Sequence, residues 1–290
     1  MTIIIAGATI LVFAIKKYYK MLQTAKEEEY HSQTSSAKFG MFSLILMFIF
    51  MGGFLVGFVD MIVRDVEPIY MFVVTINLLG VIFIHSTINT EFIMLGQLRQ
   101  KTLETMRTFV NLIEMKDEYT RGHSQHVYNI VAVFYDSLDS DIREKINRTR
   151  LLDAAMLHDI GKIGIADEVL NKPGKLTDED WELIRKHPLN GKKMLDDTCF
   201  IVISGWVLYH HERMDGKGYY KLPGNDIPLE SRIIAIADTY SALRTNRVYR
   251  SKKTHEMAIE IMKEESGKQF DPELLEIFCK IDPENFSDFK

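Results

Sequence analysis

The sequence predicts a chain in two parts, three transmembrane helices followed by a larger soluble domain. Three observations carry that reading. Of 35 basic and 40 acidic side chains, only 13 fall within the first 95 of the 290 residues. The same stretch holds three runs without Asp, Glu, Lys or Arg: Met1–Ile15, Phe39–Val59 and Ile69–Thr90. Beyond it, His and Asp gather in the residue types that metal chemistry uses. A mean hydropathy of −0.05 conceals this division by averaging the two parts.

The first run covers roughly 22 Å as a helix and is short, whereas the second and third each span about the 30 Å hydrocarbon core. Tyr18 and Tyr19 suit the interface beyond the first run, where Lys16, Lys17 and Lys20 can snorkel. A signal peptide would carry its positive charges before the apolar run, not after it. Lys16, Lys17, Lys20, Lys26 and Lys38 lie between the first two runs, and only Arg64 between the second and third. The positive-inside rule therefore puts the first connection in the cytoplasm, the loop 60–68 outside, and everything after about residue 95 in the cytoplasm. The expected localisation is a multi-pass protein of the cell (inner) membrane. That outer loop is too short for a sensor domain. Asn77, His85 and the Gly53-x-x-x-Gly57 pattern read most simply as helix–helix contacts within the bilayer.

From Gly96 to Met115 the apolar spacing is helical, with Leu98, Phe109 and Leu112 near a heptad repeat, although Thr102 and Thr105 share that stripe. A helix leaving the membrane here could pair with a second copy, making a homodimer through this linker and the membrane helices, or serve as a spacer. The expected division is a membrane anchor over 1–95, a helical linker over 96–114 and a soluble domain over 115–285. A formal charge of −5 gives no basic excess for a nucleic-acid backbone, so no DNA partner is expected. Two cysteines are too few for a disulfide framework or a Cys-rich zinc site.

The soluble part holds His123, His126, His158, His187, His210, His211 and His255. Asp159 follows His158 directly, and Asp238 closes the apolar run Ile233–Ala237. Singly, each has an ordinary explanation, such as a core histidine or a helix-capping Asp. Together, neutral imidazoles and carboxylates without thiolates suit Fe, Mn, Zn or Co. Five His and two Asp exceed the needs of one ion and could hold two.

Here the sequence resembles a known family. His158-Asp159-Ile160-Gly161-Lys162 reads as the HD signature of metal-dependent phosphohydrolases. The run His210-His211-Glu212-Arg213-Met214-Asp215-Gly216-Lys217-Gly218-Tyr219 is similar to the extended motif of the HD-GYP subfamily. Lys116–Ser124, Ile236–Leu243, Arg247–Arg250 and Phe270-Asp271-Pro272 match further blocks in the expected order, over about residues 105–285.

The resemblance implies an all-α, HD-type helical domain with extra C-terminal helices and, as activity, hydrolysis of cyclic di-GMP; with the three apolar runs, the expectation is a membrane-anchored enzyme. It implies two divalent ions, Fe or Mn. His123, His158, Asp159 and Asp238 would hold one; His187, His210, His211 and the shared Asp159 would hold the other. Lys162, Tyr219, Arg247 and Arg250 would contact the dinucleotide. A hydroxide between the two ions, about 3.5–4 Å apart, would attack the phosphodiester in line and give the linear dinucleotide. The local sequence agrees with helices: Thr177-Asp178-Glu179-Asp180 looks like a helix start, Pro188 ends or kinks the element before it, and Gly and Pro at 171–174 and 216–228 mark loops.

Three positions depart from the family pattern. Tyr220 replaces the motif's Pro, which predicts a freer, weakened loop. Ser241 stands for an Asp and predicts looser support of a ligand; His126 stands for an Arg. Tyr119 occupies the position, four before His123, where some members place a Glu, so two ions and not three are expected. The competing reading is a catalytically weak cyclic-dinucleotide sensor or partner-recruiting protein, and a third is a phosphohydrolase for another cyclic dinucleotide. The complete ligand set favours the enzyme.

Overall fold

A computed structural model describes residues 68–117, 122–245 and 252–286 continuously, with isolated helical positions before residue 68 and side chains of the long helix from Thr75 on. The described residues are helical and contain no strand beyond one isolated bridge, Ser266 to Phe270. In chain order the helices are α1 (Pro68–Lys116), α2 (His123–Ser137), α3 (Ser140–Arg143), α4 (Arg148–Leu157), α5 (Asp167–Leu170), α6 (Asp178–Ile184), α7 (His187–Asp196), α8 (Ile201–Leu208), α9 (Leu229–Arg244), α10 (His255–Glu264) and α11 (Pro272–Cys279). The all-α expectation for the soluble part holds. The chain divides into two compact units, Met1–Thr102 and Leu103–Lys290.

In the first unit, the third expected span lies within α1, which runs 49 residues without an internal Pro. Among the described residues it is the one helix long and apolar enough to cross a membrane, with a window of mean hydropathy 1.6. Thr87 and Thr90 turn their hydroxyls back onto the carbonyls of Phe83 and Ser86 at 3.0 and 2.9 Å, which satisfies them inside the helix. The first expected span lies outside the described residues. The second is described only at isolated positions, among them Gly53 and Gly57, which are helical. Asn77 lies against Gly53, where a Cβ would stand 2.8 Å from its Oδ1. That contact accounts for both as packing residues.

In the second unit, α2 places Val127, Ile130, Val131 and Phe134 on one stripe at i, i+3, i+4 and i+7, all buried. They pack with Leu151, Ala155 and Met156 of α4 and with Ile233, Ile234, Ala237 and Tyr240 of α9 in one core. The apolar run before Asp238 is thus a buried helix face, and Asp238 is an interior helical residue, not a cap. Phe278 of α11 meets Phe134 and Tyr240 edge-on at 5.0 and 5.2 Å, so the C-terminal helices close the core. Each such ring contributes about 1.5–3 kcal/mol on burial.

Helix ends follow their local sequence. Thr177 and Asp180 form a capping box at α6, as the sequence predicts. Asp271 caps α11 through the amides of Glu273 and Leu274, with Pro272 in the first turn, which gives the Phe270-Asp271-Pro272 block a structural role. The expectation that Pro188 ends or kinks the element before it is corrected: that helix already stops at Ile184, and Pro188 sits in the first turn of α7, where its missing N–H costs nothing.

Candidate metal centre

Three of the predicted ligands stand where a helix runs out. The last carbonyls of a helix have no intrahelical donor. His158 follows α4 and its Nδ1 donates to Ala155 O at 2.8 Å. His187 follows α6 and donates from Nδ1 to Ile184 O at 2.8 Å. His210 follows α8 and donates from Nδ1 to Val207 O at 2.6 Å. Each carbonyl fixes the tautomer and leaves the Nε2 lone pair as the outward-facing group.

These lone pairs converge. His187 Nε2 lies 3.4 Å from His210 Nε2 and 3.2 Å from Asp159 Oδ1, while His158 Nε2 lies 3.4 Å from Asp159 Oδ2. Asp159, His187, His210 and His211 bring one ligand atom each within 4.8 Å of one another, as do His123, His158 and Asp159. Asp159 is common to both groups. Asp238 stands beside the second group, its Oδ1 2.9 Å from His123 Nε2. Gly161 permits the approach: a Cβ there would lie 1.9 Å from the His187 carbonyl oxygen, so only glycine lets the HD turn seat against α7.

The electrostatics favour a cation. His187 is pushed down to about 3 by burial, with His211 adding to the shift, and burial likewise holds His210 well below its usual range. Both are neutral ligands. Burial also opposes charge on His158, but Asp159 and Asp238 outweigh it and push the imidazole up to about 9. This buried Nε2 makes no hydrogen bond of good geometry. Burial would raise Asp159, yet Lys162 and the surrounding imidazoles hold it well below the usual carboxylate range; His123 does the same for Asp238. Paired lone pairs from neutral imidazoles around ionised carboxylates fit divalent ions.

The centre opens into a cavity of about 590 Å³ lined by His123, Asp159, Lys162, His187, His211, Tyr219 and Asp238. Lys162 Nζ lies 2.8 Å from Asp159 and 3.1 Å from Asp117, and these two carboxylates raise its pKa against the effect of burial. Tyr219 faces His211 with ring centroids 4.7 Å apart, under the Arg185 guanidinium at 5.7 Å. Arg247, Arg250 and Tyr119 lie outside the described residues.

The expectation of a freer loop at Tyr220 is corrected. Its backbone N–H donates to Glu212 Oε1 at 2.7 Å, and Leu222 N–H donates to Glu212 Oε2 at 2.7 Å. A proline could not make the first of these bonds. Gly218 rests directly on Glu212, where a Cβ would stand 2.6 Å from its Cα. The loop is clamped by a buried carboxylate.

Four further residues shape the site and were not singled out by sequence. Asp117 is buried beside Lys162. Glu114 accepts from the amides of Gly122 and Ser124 at 2.5 and 2.8 Å and so positions His123. Glu212 follows the His pair directly. Trp181 lines the cavity with Leu170, Leu176 and Ile184. Only Glu212 and Asp117 lie inside motif blocks, which is the signal that could have marked them.

A family model for the HD domain matches residues 107–274. A probable cyclic di-GMP phosphodiesterase of Vibrio cholerae is 36% identical over 209 residues, 67% of this chain and 47% of that protein. A cyclic di-GMP phosphodiesterase of the same organism is 43% identical over 141 residues, 46% of this chain and 29% of that protein. A 3′3′-cGAMP-specific phosphodiesterase, also from Vibrio cholerae, is 33% identical over 190 residues, 63% of this chain and 35% of that protein. The chain thus spans about half or less of the length of these relatives. With the family match covering more than half of this chain, and with the His158–Lys162 and His210–Tyr219 blocks folded into one centre, the chain belongs to the HD domain family, in its HD-GYP subfamily.

Proposed function

We propose that this chain is a membrane-anchored, metal-dependent phosphodiesterase that opens cyclic di-GMP to the linear dinucleotide. The observation that carries it is the convergence of three helix-terminal Nε2 atoms on Asp159, beside His123 and Asp238, in a cavity with room for a phosphate and a base. In this reading His123, His158, Asp159 and Asp238 hold one ion, and Asp159, His187, His210 and His211 the other, with Fe or Mn as the expected metals. When bound, such ions supply Lewis acidity toward a phosphoryl oxygen and toward water.

The protein's own groups do the rest. Asp159 sits between the two groups and sets their spacing. Lys162, held by Asp159 and Asp117, presents its ammonium to a phosphate oxygen at the cavity floor. Tyr219, steadied by the Glu212 clamp, bounds the dinucleotide, and Arg247 and Arg250 are assigned to its phosphates by motif. The apolar wall of Leu170, Leu176, Trp181 and Ile184 gives a nucleobase a surface to stack on. The P–O bond breaks with water as the incoming group, leaving a terminal phosphate and a free hydroxyl.

The division into anchor (1–95), linker (96–114) and catalytic domain (115–285), three membrane crossings with the domain cytoplasmic, and a homodimer through the linker belong to the same proposal. Phe109, Leu112 and Met115, exposed on α1, support pairing of the linker. A second substrate reading, another cyclic dinucleotide, draws support from the cGAMP-specific relative. Incubating the purified chain with a panel of cyclic dinucleotides and Mn or Fe, with product identification, decides between them.

A further inference from the structure

We infer that Ser241 and His126 act as one hydrogen-bonded unit that orients His123 and sets how tightly its half of the centre holds a cation. Ser241 Oγ lies 2.9 Å from His123 Nδ1 and 2.9 Å from His126 Nδ1. The three residues are buried, at 0, 5 and 6% exposure for Ser241, His123 and His126. Helix α9 grips both edges of the His123 ring: Asp238 meets Nε2, and Ser241, one turn on, meets Nδ1.

Donor accounting gives the unit a direction. For Nε2 of His123 to offer a lone pair to a cation, its proton must sit on Nδ1 and needs an acceptor there. Ser241 Oγ is that acceptor. A hydroxyl that accepts still has its own proton to place, and His126 Nδ1 receives it. With a cation at Nε2 in place of the bond to Asp238 Oδ1, the chain therefore runs His123 to Ser241 to His126. If Ser241 instead donated to His123, the His123 proton would move to Nε2 and block the cation. His126 and His123, three apart on α2, share a face and reach the same hydroxyl. The two departures at 126 and 241 are thus a single, paired change. The unit therefore sets the donor strength of His123, and a change at Ser241 or His126 bears on the ion of this half and not on the ion held by His187, His210 and His211.

This inference rests on the two-ion reading, and the test separates them. Mn2+ is titrated at one pH into the detergent-solubilised full chain and into Ser241→Ala, His126→Leu, His126→Gln and Ser241→Ala/His126→Leu, with circular dichroism to confirm the fold. Wild type should bind two ions. Ser241→Ala should weaken only one of them, by about 10–100-fold. His126→Leu should weaken the same ion, His126→Gln, which keeps an acceptor, should restore it, and the double variant should be no worse than Ser241→Ala. Two ions in wild type with no change in Ser241→Ala, equal weakening of both ions, or additive losses in the double variant would each overturn the unit alone. Absence of any Mn2+ binding by wild type would overturn the two-ion reading and this inference with it.

Discussion

His187 and His210 point their Nε2 atoms at each other across 3.4 Å, and each has its Nδ1 proton committed to a helix-terminal carbonyl. Two lone pairs facing at that distance repel unless a cation lies between or beside them. The helices that end at Ile184 and Leu208 hold the arrangement in place.

Asp159→Ala removes the carboxylate common to both ligand groups. The variant should lose metal from both and lose hydrolysis entirely, which elemental analysis and a turnover assay read together. Retention of both ions would remove Asp159 from its bridging role.

Asp117 is buried and Lys162 is half-buried beside it, so truncating the lysine removes one charge-assisted bond from that carboxylate. Lys162→Ala should destabilise the domain by about 1.5–3 kcal/mol. Adding Asp117→Asn should recover most of that stability but not turnover. Recovery of both would mean that the ammonium serves only the fold.

Tyr220→Pro restores the motif residue but removes an amide bond to a carboxylate, an interaction of about 1.5–3 kcal/mol. The variant should bind metals normally and raise KM, with Glu212→Gln moving in the same direction. An unchanged KM in both would show that the clamp does not position Tyr219.

Protons and cations compete at the centre. A proton held by His158 up to about pH 9 must leave before an ion can take its Nε2, so metal affinity should rise with pH toward 9, with proton release on binding. In the metal-free protein the same raised pKa contributes stability below about 6.5 that is lost as pH rises through 9. His187 acts oppositely. Its pKa, near 3 when folded against an ordinary 6.5, lets only the unfolded chain take a proton between those values, so stability falls as pH drops through that window. Thermal melts of the metal-free protein should decline on both sides. A flat profile from pH 4 to 9 would contradict these assignments.

Much of this was legible in residues with a fixed chemical duty. The capping box at Thr177 and the buried run before Asp238 follow from local rules, and the motif blocks contain His123, His158, Asp159, His210 and His211, whose ligand atoms the structure brings together, while His187 stands outside every block. What escaped were long-range partners of polar groups. Glu114 and Glu212 are ordinary acids in sequence, and only the folded backbone shows which amides they satisfy. Tyr220 was misjudged for the same reason: a proline's stiffness is a local property, but a donated amide depends on what lies across the loop. The departures at His126 and Ser241 are 115 residues apart, and nothing short of the packing of α2 on α9 reveals that they touch.

The central claim is tested most directly by loading the full chain with Mn or Fe under anaerobic conditions, counting bound ions, and following cyclic di-GMP by chromatography. The account predicts two ions per chain and conversion to the linear dinucleotide, both abolished in Asp159→Ala. A protein that carries two ions, binds cyclic di-GMP and leaves it intact would contradict it.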